Sequence, residues 1–163
     1  MPASHAWLST RLQWGMALAI ALAPASTPAQ ESQSAQRVLI ATEQSAFKDA
    51  VVAEVAQALR QDGHSVTIIG LDKLGAEPAA DYQAIIVINT CRAWRPSREV
   101  RDFLRRVSEQ DRKRLLVLTT ANSGECDVKV NGVDAISSAS KRAYAPAMSQ
   151  RIIDKVRARL VGP

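Results

Sequence analysis

Between Arg37 and Leu59 the sequence reads RVLIATEQSAFKDAVVAEVAQAL, and its hydrophobic period changes halfway along. Val38, Leu39 and Ile40 are apolar without alternation, the pattern of a strand covered on both faces. A polar turn follows, and then Phe47, Val51, Val55, Ala58 and Leu59 recur at helical spacing. Ser45 stands where an N-cap belongs, since its hydroxyl can accept from an N–H that the helix itself leaves unpaired. Asp62-Gly63 closes the helix, because glycine takes the left-handed conformation there without steric penalty. A covered strand feeding a helix is the first half of a βαβ unit, and right-handed crossovers then leave few topologies open. The turn between the two is where such folds bind anions.

The rest of the chain repeats this alternation. Ser65 to Ile69 (SVTII), Ala84 to Ile88 (AIIVI) and Leu115 to Leu118 (LLVL) read as further strands, and the wholly apolar AIIVI run belongs at the centre of a covered sheet. Leu71 to Asp81 carries too many breakers for a full helix and predicts a loop or a single turn. Pro96 and Ser97 open a helix with Val100, Phe103, Leu104 and Val107 on one stripe, while Arg98, Arg101, Arg105 and Arg106 fall mostly on the other side. The fourth strand runs on into Thr119-Thr120. Asn122 to Gly132 has no helical stripe, so the helix after strand 4 is expected to be reduced or absent. Val133 to Ile136 is a fifth strand or a bend. Met148, Ile152, Val156 and Leu160 predict a closing helix from about Pro146 to Val161. The expected fold class is α/β: three layers around a parallel five-stranded sheet, order 2-1-3-4-5.

The start of the chain reads differently. Arg11 is the only Lys, Arg, Asp or Glu before Glu31, and Trp14 to Ala23 (WGMALAIALA) is a short apolar core followed by small residues and prolines. These are the parts of a secretory signal, and the run falls short of the roughly 20 apolar residues that a membrane span needs. Residues 1-29 are therefore expected to be a signal peptide, with cleavage after Ala29 or Ala25, residues 30-36 a flexible lead-in, and residues 37-161 the domain. The expected location is periplasmic or secreted, with no membrane insertion after cleavage; an uncleaved anchor is the rival. Of 21 Lys and Arg the leader removes only Arg11, against 16 Asp and Glu, so the net charge falls from +5 to about +4. The excess clusters between Arg92 and Arg114, but aromatic residues make up only 4% of the chain. Nucleic-acid surfaces combine basic patches with aromatic platforms, so a solvated helix face is expected and no nucleic acid.

At this point the chain resembles the flavodoxins. They carry T-G-N-T after the first strand, where this sequence has Thr42-Glu43-Gln44-Ser45. Asp81-Tyr82-Gln83-Ala84-Ile85-Ile86 is similar to their third strand. Trp94, Pro96, Val100 and Phe103-Leu104 are similar to the family's aromatic-x-x-P…V…FL run. The likeness covers nearly all of the chain after the leader. It implies FMN and a redox or electron-transfer role, with Thr42, Glu43, Gln44, Ser45, Thr90, Trp94, Thr119 and Thr120 lining a crevice at the carboxyl edge of the sheet. Glu43 replaces the glycine and puts a negative charge where the FMN phosphate would sit; Lys48, one turn on, would offset it. Asp134 to Ser140 (DAISSAS) is similar to the sequence at which exported flavoproteins receive FMN covalently, with Ser140 as acceptor; a small-residue turn is the other reading.

Cys91 and Cys126 are the only cysteines. In the expected strand order they follow neighbouring strands, close enough for a loop to bring them within disulfide distance. A structural bridge is the favoured reading, with two free thiols and a redox-active pair as the alternatives. His5 lies in the leader and His64 at the opposite edge, which removes a Cys-His nucleophile and most zinc sites. The expectation is an exported flavodoxin-like domain with an FMN-related or other redox role, not a stand-alone enzyme, and a periplasmic redox or protein partner. The alternative is a cofactor-free module of the same fold that binds a small anion or a protein.

Overall fold

The computed structural model describes residues 35–122, 126 and 131–161. The predicted leader and most of the lead-in lie outside the described residues. Five strands form one sheet: β1 (Arg37–Thr42), β2 (Ser65–Gly70), β3 (Ala84–Thr90), β4 (Leu115–Ala121) and β5 (Asp134–Ala139). All pair in parallel, in the order β2-β1-β3-β4-β5. The helices are α1 (Ala46–Gln61), α2 (Arg98–Arg106), α3 (Glu109–Arg112) and α4 (Ala145–Leu160). Among the described residues no helix is long and apolar enough to cross a membrane.

Alternate side chains along each strand serve two separate cores, as the strand period of two requires. On one face Val38, Ile40, Ile86, Ile88, Leu116, Leu118 and Ile136 pack against α1 and α4 through Phe47, Val51, Val55, Leu59, Ile152 and Val156. On the other, Leu39, Ala41, Ile85, Val87, Leu115 and Val117 pack against Val100, Phe103 and Leu104 of α2, with Leu71, Leu74 and Tyr82. Ser45 caps α1, its Oγ accepting from Lys48 N at 3.2 Å, and Gly63 follows the Asp62 C-cap at φ 87°.

The second face is thin beside β2. Two 3-10 turns, Leu74–Ala76 and Ala79–Asp81, stand where an α/β unit normally places a helix. Buried Leu74 and Tyr82 replace some of its cover, yet Ile68 of β2 remains 43% exposed. β5 is a full strand from Asp134 to Ala139, and Ile136 pairs with Leu118 at its centre. α3 is absent from the sequence reading because EQDR has no apolar stripe; the Ser108 cap, accepting from Asp111 N, holds it.

Candidate functional site

Register brings the carboxyl ends together. Thr42 pairs with Ile88 and Thr90 with Thr120, so the connections after β1, β3 and β4 share one rim. The β1–α1 turn closes on itself there. Thr42 Oγ1 donates to Glu43 O at 3.2 Å, and the Ser45 hydroxyl is engaged as the helix cap. Lys48, in the first turn of α1, is only 3% exposed. Its Nζ lies 2.8 Å from Glu43 Oε1 and also donates to Thr90 Oγ1 on β3. Burial opposes ionisation of Glu43, but hydrogen bonds from Lys48 and Thr90 and the lysine charge together outweigh it, and the carboxyl sits below its ordinary 4.5. Gln44 and Glu43 line an open cleft that continues along α1 and β2.

A second polar network ties β3 to β4. Asn89 is fully buried at the end of an apolar run. Its Nδ2 donates to Leu118 O and to Thr119 Oγ1, at 3.3 and 3.0 Å, and its Oδ1 accepts from Ser97 N at 3.2 Å. Thr120 Oγ1 donates back to Asn89 O at 3.2 Å. Thr119 and Thr120, expected at the crevice lining, are thus fully buried with their hydroxyls spent inside the sheet. Asn89 escaped the sequence reading; its signal was a lone amide between AIIVI and Thr90.

Cys91 and Cys126 are joined in a disulfide with Cα atoms 6.1 Å apart. Cys91 N donates to Thr120 O and Ser137 Oγ to Cys126 O, both at 2.8 Å, so the bridge is anchored to β4 and β5. Directly after Cys91 the chain makes a tight reversal. Arg92 and Arg95 exchange backbone hydrogen bonds of 2.9 and 3.1 Å, and Ala93 and Trp94 both have positive φ, 49° and 62°. Trp94 is 78% exposed at the tip. Ser140 is exposed just beyond β5, its N donating to Ala121 O at 3.3 Å. Asp134 is paired with Lys155 and Arg159 of α4 at 2.8 and 2.7 Å, which pins β5 to that helix.

Between this reversal, the start of α2, Glu43 and Leu71 lies an open cleft of about 570 Å³. Arg92, Arg95, Arg98 and Arg101 all line it. Among the described residues no group of three or more His, Cys, Asp or Glu is placed to hold a metal.

Strand order, layering and the shared rim define a flavodoxin-like α/β fold. Oxidised flavodoxin 2 from Bacillus cereus superimposes with a TM-score of 0.54 at 13% identity, covering 76% of this chain and 99% of that one. The flavodiiron core from Synechocystis gives 0.54 at 11%, with 82% of this chain and 38% of that one, and a flavo di-iron protein from Thermotoga maritima gives 0.54 at 11%, with 78% and 36%. This chain therefore spans just over a third of each of the two di-iron chains. No protein-family model matches the sequence, and no curated protein matches it.

FMN is the group that the resemblance to flavodoxins implies, and the β1–α1 turn can be tested against its phosphate. Such a site needs free N–H and hydroxyl donors, or an unpaired cation, around an open space. Here the buried Lys48 is committed to Glu43 and Thr90, and the Thr42 hydroxyl donates to Glu43 O, while Ser45 Oγ serves as acceptor in the cap. A phosphate entering beside Glu43 meets an ionised carboxylate, a contact that disfavours binding by several kcal/mol. The residues of this turn do not fit the group.

Proposed function

We propose that this chain is an exported, flavodoxin-fold binding module that works without FMN and takes a small anion or a protein partner at the carboxyl edge of its sheet. The observation that carries the reading is the Glu43–Lys48–Thr90 cluster, which sets an ionised carboxylate in the β1–α1 turn and commits its buried lysine to internal contacts. Two further features support it. The Cys91–Cys126 bridge closes the space between the β3 and β4 connections with covalent structure, and Trp94 points to solvent. Export is supported by the leader-like sequence before Glu31 and by a disulfide of the kind that persists in oxidising compartments.

The test is titration of the purified protein with FMN, followed by flavin fluorescence and by thermal unfolding. The expected protein is colourless, leaves FMN fluorescence unquenched and unfolds at the same temperature with or without flavin. A yellow protein, or a melting temperature that climbs with FMN, would restore the electron-transfer role. Cell fractionation with an antibody to the domain tests export, and a purely cytoplasmic signal would refute it.

A further inference from the structure

We infer that the cleft between the Arg92–Arg95 reversal and the first turn of α2 is a binding site for a small oxyanion carrying at least two negative charges. The inference deepens the reading above by assigning the anion a place, and it rests on that reading. Four arginines line the cleft from two directions: Arg92 and Arg95 from the reversal, Arg98 and Arg101 from successive turns of one helix face. Arg98 is the only one of the four with a carboxylate partner among the described residues, Asp102 at 3.5 Å, and that pair is largely exposed. Arg92, Arg95 and Arg101 form no ion pair among the described residues, so the protein's own carboxylates leave their charges unanswered.

The remaining wall agrees with this. α2 begins in the cleft, and its first N–H groups, those of Arg98 and Glu99, have no intrahelical acceptor. Glu43 and Glu99 also line the cleft, and Glu43 is paired with Lys48; four arginines against these two carboxylates leave the cleft net positive, which the β1–α1 turn alone is not. The frame is rigid: Cys91 is bridged to Cys126, and Ser97 N is held by Asn89 Oδ1. A volume of about 570 Å³ suits a small molecule. Paired forks of N–H groups match phosphate and carboxylate oxygens alike.

Isothermal titration of the disulfide-intact protein at low salt, with pyrophosphate in one arm and citrate in the other, separates the two sources of that chemistry. Saturable binding of either is expected, and the tighter of the two names the class. Arg101→Met is expected to weaken it about tenfold or more, and Arg95→Met, at an exposed position with no packing to lose, to do the same. Arg151→Met, exposed on α4, should leave it unchanged. No binding of either probe, or binding indifferent to both cleft substitutions, overturns the site. A protein that also ignores FMN would then still satisfy the proposed function, so the two failures are distinguishable.

Discussion

Lys48 keeps its ammonium out of water by means of one carboxylate and one hydroxyl, and its two partners stand differently toward solvent. Glu43 is 26% exposed at its side chain, Lys48 3%. Glu43→Gln should therefore destabilise the fold by about 2 kcal/mol, because the stranded lysine has nowhere to go. Lys48→Met should cost less than about 1 kcal/mol, since Glu43 can turn outward and the methionine fills the same space. Urea unfolding of both variants checks the asymmetry; equal losses would refute it. Trp94 gives a residue-scale prediction of opposite sign. A non-glycine residue at φ 62° is strained and this one is exposed, so Trp94→Gly should stabilise by about 0.5–1 kcal/mol. The Ser45 cap could be read directly from the sequence. The depth of Lys48 could not, because its burial depends on Thr90, which β3 brings up from 42 positions away.

At the scale of elements, strands written as unbroken apolar runs declared themselves, and so did helices with a clean stripe such as Val100, Phe103, Leu104. β5 did so only in part: Val133 to Ile136 read as a strand or a bend, because DAISSA is small and polar and is held by its register on β4 and the Asp134 pairs to α4. The weak cover over β2 was legible in part, as breakers between Leu71 and Asp81. That the crevice threonines would turn inward was not, because Asn89 organises them across two strands. The disulfide joins connections 35 residues apart, and removing both cysteines should lower stability by about 3 kcal/mol through the unfolded chain's regained freedom. Cys91→Ala with Cys126→Ala, compared by urea midpoint with the oxidised protein, measures this; an unchanged midpoint would count against it.

For the molecule as a whole, three carboxylates report on acid stability. Glu43 and Asp134 are lowered against the pull of burial by their lysine and arginine partners, and Asp62 is lowered chiefly by its hydrogen bond to Arg157 of α4. A depressed folded-state value means that the stabilisation is complete above the ordinary values of 4.5 and 3.8 and is lost as pH falls through the lower ones. Thermal stability should thus decline steeply only below about pH 4, and Asp134→Asn should flatten that decline by removing the β5–α4 clamp at every pH. Melting temperatures from neutral to acid pH provide the check. The bridge at the rim has one more consequence, for anyone preparing the protein. Both cysteines sit outside the two apolar cores, so a cell interior rich in glutathione would yield a body that is folded but whose arginine-bearing lip is untethered. Material made there should need an oxidation step before any ligand is tried against it.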